Sequence, residues 1–142
     1  MFKPSVYIMV AFPAAGKSTF SAALKQVNPN LVVLDGDTLK TKEKVQKELI
    51  KALDAGHSVL VDACHTSLSR RTPIIAEAKR RGLEIYAFYI TTPFETCMER
   101  NKIREQLTAK HVPKVAFYMH RKDFVVPTLE EGFNGIIYIN NG

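Results

Sequence analysis

Residues 11–20 read AFPAAGKSTF, and how this stretch is read decides the fold. A hydrophobic run stops at Ala11-Phe12. The chain then turns through Pro13, Ala14, Ala15 and Gly16, and Lys17-Ser18-Thr19 follow. A loop of this kind (Walker A) works because consecutive backbone N–H groups curl around phosphate oxygens at a helix N-terminus. Its lysine reaches the β- and γ-phosphates, and the hydroxyl after it ligates Mg²⁺. Ala11 stands where the pattern usually begins with glycine, and the smallest side chain after glycine is tolerable at a strand end. Gly16, where the chain must enter the helix tightly, is retained. Pro13, Ala14, Ala15, Gly16, Lys17, Ser18 and Thr19 are therefore the expected nucleotide-binding loop. Ser18 is the expected metal ligand, and ATP or another nucleoside triphosphate the expected ligand.

The flanks supply the context that this loop requires. Residues 5–10 (SVYIMV) read as a buried strand and residues 17–27 as a helix, stopped by Asn28-Pro29. LVVL (31–34) is a second strand. A helix is expected over 38–55, because Val45, Leu49 and Leu53 recur at i, i+4, i+8 and Gly56 ends it. Lys40, Lys42, Lys44, Lys47 and Lys51 mostly fall on its other faces, as a solvated surface would. SVLVD (58–62) is a third strand, 69–81 a helix, and EIYAFYI (84–90) a fourth strand. Thr92-Pro93-Phe94-Glu95 has the form of a capping box with proline at the first helical position. Residues 114–124 read as a last helix and 136–139 as a last strand. Strands alternating with helices predict an α/β fold: a P-loop NTPase-type parallel sheet of about five strands with helices on both faces. Ligands then bind beyond the carboxyl ends of the strands. Ala11 to Thr19, Asp35 to Asp37, Asp62 to Ser67 and Thr91-Thr92 all lie there.

The chain of 142 residues is one domain's worth, with 46% hydrophobic and 24% charged residues. No apolar run reaches membrane-span length, so no membrane partner is expected. Met1-Phe2-Lys3-Pro4 leads straight into the first strand, which predicts an intracellular protein, cytoplasmic or, in a eukaryotic host, nuclear. Cys64 and Cys97 fit no zinc or disulfide spacing and read as two free thiols. The net charge of +6 is mild support for a polyanionic partner.

The loop specifies a nucleotide rather than a reaction. No Asn-Lys-x-Asp stands late in the chain, as a GTPase needs, and VLVD is followed by Ala63 rather than the glutamate of a motor ATPase. Small-molecule and nucleic-acid kinases place a carboxylate after the second strand and an arginine-bearing lid late in the chain. Asp35-Gly36-Asp37 and ERNKIREQLTAKHVP (99–113) match both features. A hydroxyl loses its proton as it attacks phosphorus, and a carboxylate in reach takes it. DGDTL also resembles a haloacid-dehalogenase nucleophile motif, but its Gly and Thr are misplaced and a phosphate loop precedes it. An Asp37–Thr38 helix cap is compatible with catalysis. Arg100, Lys102 and Arg104 cluster where the fourth helix is expected to end, as a lid or as a solvated helix end.

With these pieces in order, the sequence resembles the kinase domain of the 5′-polynucleotide kinases, phage type and eukaryotic polynucleotide kinase–phosphatase, over residues 7–138. FPAAGKSTF, DGDTL, VDA, RNKIRE and HVP match in turn, and YMHRKDFVVPTLEEGF is very similar to the eukaryotic-type segment. The resemblance implies one kinase domain over 1–142 with a lid at about 100–113. It implies transfer of the γ-phosphate of ATP, with Mg²⁺, to the 5′-hydroxyl of DNA or RNA, as in end repair. Lys17 and Ser18 would bind the phosphates and Mg²⁺, Asp37 would be the general base, and Lys40 and Asp62 would lie at the acceptor. Arg104 would be the lid arginine, with Arg100 and Val112 near the nucleotide. Two departures stand out: Cys64-His65 where the family often has Thr-Asn, and Asp35 where relatives have Asn. No phosphatase or ligase domain is attached, so such activities would come from separate partners. A small-metabolite or nucleoside kinase, and a non-catalytic nucleotide-binding module, are the alternatives.

Overall fold

A computed structural model describes residues 3–107 and 112–140. Five strands form one sheet: β1 (Val6–Val10), β2 (Val32–Asp35), β3 (Val59–Asp62), β4 (Ile85–Ile90) and β5 (Gly135–Ile139), in the order β2-β3-β1-β4-β5. Every neighbouring pair is parallel. Parallel strands covered on both faces carry nearly continuous apolar runs, and VYIMV, VLVD and IYAFYI do so.

The strands' period of two divides the core into two layers. Val6, Ile8 and Val10 face one way, onto Leu49 and Leu53 of α3 (Lys42–Asp54) and Ile74 and Ala78 of α4 (Leu68–Arg80). Tyr7 and Met9 face the other, with Leu24 of α1 (Lys17–Val27), Cys97 of α5 (Phe94–Leu107) and Phe117 of α6 (Lys114–Asp123). Each fully buried aliphatic side chain adds about 1.5–3 kcal/mol to such layers. Helices therefore cover both faces, as the alternation of elements predicted.

Three details differ from the sequence reading. The helix expected over 38–55 is two: a short α2 (Gly36–Leu39) and α3. Two caps in succession explain the break. Asp35 caps α2, Thr41 accepts from the Lys44 N–H at 3.1 Å to cap α3, and Lys40 between them has φ 73. Second, α5 runs on to Leu107, so Arg100, Lys102 and Arg104 lie within it rather than at its end. The expected lid is thus partly helix, and its residues 108–111 lie outside the described residues. Third, the Thr92 hydroxyl donates to the Ala15 carbonyl at 3.2 Å, joining the helix start to the phosphate loop.

Candidate functional site

The carboxyl ends of β1, β2 and β3 bring the loop and two acidic segments together. Gly16 caps α1 with φ 106, a left-handed conformation that glycine adopts freely. That turn leaves the first N–H groups of α1, at Lys17, Ser18 and Thr19, without partners inside the helix. Pro13 and Ala15 are buried, Ala14 and Lys17 half-buried, and Ser18 and Thr19 exposed. The loop is anchored from several sides. The Ala11 N–H donates to the Cys64 carbonyl at 3.0 Å and the Ala15 N–H to the Phe12 carbonyl at 3.3 Å. The Ala15 carbonyl accepts from Thr92 and from the Arg100 guanidinium at 3.3 Å. Arg100 thus does meet the phosphate loop, and Arg104, half-buried, follows one turn later on the same face of α5.

Across from the loop, Asp35 and Asp62 are register partners at the ends of β2 and β3. Gly36 is required between them, because a Cβ there would come within 2.8 Å of the Ala63 Cβ. The two aspartates of DGD divide their work. Asp35 accepts from the Asp37 N–H and the Thr38 hydroxyl, both at 3.0 Å, and so is the cap. The exposed Asp37 carboxylate has no hydrogen bond or ion pair among the described residues. The expected Asp37–Thr38 cap is therefore an Asp35 cap, and Asp37 is left to face outward. Lys40 is exposed at the α2–α3 corner. Asp62 is half-buried; desolvation raises its pKa, against the pull of the Lys17 charge and the Ser21 hydroxyl. It therefore stands between the phosphate loop and the Asp35–Asp37 segment.

Three non-glycine residues among the described ones have positive φ: Ala14, Lys40 and His65. All three lie in loops at this edge, where stored backbone strain commonly accompanies function. His65 is buried, and its Nδ1 lies 2.8 Å from the Met9 carbonyl. A carbonyl only accepts, so Nδ1 carries the proton. Burial pushes the imidazole down to about 4. The ring is a neutral brace between β1 and the loop after β3, while half-exposed Cys64 stays at the edge, its thiol pushed up by burial.

The sequence reading did not identify two structural residues. Asn101 donates to the Val112 carbonyl at 2.7 Å and accepts from the Val112 N–H at 2.9 Å, tying together the ends of the expected lid. Its polar side chain at a buried helical position is the signal that was available. Arg71, fully buried, makes a bidentate pair with Glu131 at 2.8 and 3.0 Å and donates to the His65 and Val125 carbonyls at 3.1 and 2.8 Å. The Val125 N–H donates to the Thr66 carbonyl at 2.8 Å. The C-terminal VVPTLEEGF segment is thereby fastened to the loop after β3.

A cavity of about 720 Å³ lies at the opposite end of the sheet, between Tyr7, Leu24, Val27, Ser58 and Phe88. None of the candidate residues lines it. Val112 borders a cleft of about 170 Å³ with Met98, Asn101 and Lys114. No helix among the described residues is long and apolar enough to cross a membrane.

A family model described as an AAA domain matches residues 38–127. That match begins after the phosphate loop, which is therefore an independent feature. A relative named putative bifunctional polynucleotide phosphatase/kinase, from Acanthamoeba polyphaga mimivirus, is 33% identical over 95% of this chain and 34% of its own length. The bifunctional polynucleotide phosphatase/kinase of Schizosaccharomyces pombe is 30% identical over 92% of this chain and 32% of its own. The chain thus spans about a third of the length of the curated relatives it matches. Among solved structures, a fungal RNA kinase superposes with TM-score 0.76 at 15% identity, over 97% of this chain and 74% of that one. A gluconokinase from Sinorhizobium meliloti shares the fold with TM-score 0.67 at 15% identity, over 99% and 84%. The resemblance to polynucleotide kinases read from the motifs is thus met by the relatives, and the fold is P-loop kinase-like.

Proposed function

The chain belongs to the AAA domain family, and on that premise we propose that it transfers the γ-phosphate of ATP to the 5′-hydroxyl end of DNA or RNA. The observation that carries the proposal is the division of labour in Asp35-Gly36-Asp37. One aspartate is consumed as a cap and the other is held open beside the phosphate loop. The names of the relatives, 30–33% identical over nearly the whole chain, support a polynucleotide as the acceptor.

In this reading the loop amides and Lys17 cradle the β- and γ-phosphates. Asp37 accepts the proton of the attacking 5′-hydroxyl. Arg104 neutralises charge that develops on the transferring group, and Arg100 ties the lid helix to the loop. Val112 borders the nucleotide, and Lys40 and Asp62 border the acceptor. The oxygen donors Ser18 and Asp62, both beside Lys17, suit a hard cation that keeps most of its waters, and these residues would hold Mg²⁺. That ion would supply charge neutralisation at the phosphates. Residues 100–113 act as the lid.

The test offers labelled ATP, Mg²⁺ and a 5′-hydroxyl oligonucleotide. The expected result is label at the 5′ end, lost in Lys17→Ala, where a missing charge contact raises the barrier by about 3–4 kcal/mol. If free nucleosides or sugars are labelled and oligonucleotides are not, the acceptor is a small metabolite. If nucleotide binds and nothing is labelled, the chain is a binding module.

A further inference from the structure

Two basic side chains outside the set just described flank the loop after β3. Arg70 stands in the first turn of α4 and is exposed. Its guanidinium has no carboxylate partner among the described residues, whereas its neighbour Arg71 is paired with Glu131, and Arg80 and Arg81 are paired with Glu77 and Asp54. His120, on α6, is half-buried, and its Nδ1 lies 2.7 Å from the Thr66 hydroxyl. Thr66 is 1% exposed, and its carbonyl is bonded by the Val125 N–H. The ring is therefore held by a rigid piece of the loop after β3, with Nε2 on its far side.

We propose that Arg70 and His120 grip the internucleotide phosphate that follows the 5′-terminal nucleoside of a polynucleotide acceptor. This rests on the polynucleotide reading above and names the part of the polymer that the site recognises. The charged groups acting on the His120 ring come from four elements: Arg70 from α4, Lys17 from α1, Asp37 from α2 and Asp123 from α6 itself. Burial first, then the Arg70 and Lys17 charges, hold the ring below its usual range. The Arg70 charge and a protonated His120 ring repel each other until an anion lies between them. A bound phosphate removes that repulsion and turns it into two charge-assisted contacts. Lys40 ends α2, which follows β2, and Arg70 stands in the first turn of α4, which follows β3, so exposed cations stand on separate elements beyond the carboxyl ends of these two strands. A free nucleoside offers neither of them a charge, and a polymer does.

The experiment measures binding and labelling separately. A 3′-labelled 5′-hydroxyl oligonucleotide is titrated against the wild type, Arg70→Gln, Arg70→Lys and the remote control Lys51→Ala, without ATP, over a range of salt. Loss of one contact to a single strand should make the salt slope shallower by about 0.7, which weakens binding about five-fold near 0.1 M salt. Arg70→Lys should retain most of the affinity, and Lys51→Ala should leave the slope unchanged. Melting temperatures of the Arg70 variants should match the wild type, since the side chain has no partner to lose. In parallel, the His120 ring is titrated by NMR, assigned with His120→Gln. Its midpoint should rise by about one pH unit with the oligonucleotide and stay put with a nucleoside. If Arg70→Gln binds with unchanged slope, or the His120 midpoint does not move, the clamp is wrong. Labelling by the wild type then decides the rest. An oligonucleotide labelled equally well by wild type and Arg70→Gln overturns the clamp alone, and one labelled by neither overturns the polynucleotide reading and the clamp with it.

Discussion

Lowering the pH from neutral should loosen this protein through His65. The imidazole titrates at about 4 in the folded chain against 6.5 for an unperturbed histidine. Between those values the unfolded chain binds a proton that the native chain refuses, so stability rises with pH across this window. The contribution is complete above pH 6.5 and lost as pH falls toward 4. Its full size is about 3 kcal/mol, from the difference of the two midpoints at 1.36 kcal/mol per unit, and about 2 kcal/mol of it is gone by roughly pH 5. For a chain of this length that corresponds to a fall in melting temperature of about 4–8 °C. Glu77 does not intrude. Its carboxyl is held below 4.5 by bonds from Arg81 and Arg80, so its share is lost only at lower pH. His120 is shifted in the same direction as His65 and needs a control. The control is His65→Asn, because asparagine tolerates the positive φ at this position and does not titrate. Urea unfolding at about pH 7.5 and pH 5 should show a steep pH dependence in the wild type that flattens in the variant. Equal pH dependence in the two, or an NMR midpoint for His65 near that of a free histidine, would refute the assignment of a buried neutral brace.

Asp37→Asn should lower kcat by roughly a hundred- to ten-thousand-fold with ATP affinity nearly unchanged. Asp35→Ala should instead cost about 1 kcal/mol of stability as a lost cap; a larger rate loss there, read by steady-state kinetics, would move the base to Asp35. Lys40→Gly should stabilise the fold by up to about 1 kcal/mol by relieving a positive φ. The same variant should weaken oligonucleotide binding and leave ATP affinity alone, which separates charge from folding. Arg104→Ala should cut turnover more than it weakens ATP binding, since a lid arginine acts on charge that develops during transfer. Turnover equal to wild type would return Arg104 to a solvated helix face.

The features legible in the sequence were those set by local chemistry. The strand–loop–helix over residues 5–27 follows from an apolar run, Gly16 and Lys17-Ser18, none of which needs a distant partner. The sheet was legible because β-branched runs buried on both faces leave no alternation to misread. The break at Lys40 was hidden because the apolar period of Val45, Leu49 and Leu53 continues through it, and only two adjacent caps, Asp35 and Thr41, reveal it. Which aspartate caps and which stays open is decided by backbone geometry around Gly36, and sequence alone does not carry that. Asn101 and Arg71 were missed for another reason. Their partners, Val112 and Glu131, lie 11 and 60 residues away, and spacing within one element cannot reveal them.

The buried Arg71 also dictates an order of assembly. Its guanidinium sits on α4, in the middle of the chain, and its carboxylate arrives with Glu131 near the other end. Until that segment docks, Arg71 lacks its counter-charge, and burying it unpaired would cost several kcal/mol. In a chain emerging from the ribosome, the loop holding Cys64, His65 and Thr66 therefore cannot lock until residues 125–131 are made. Removal of that tail should silence the protein with every catalytic candidate still in place, and binding to the growing tail would delay its activation.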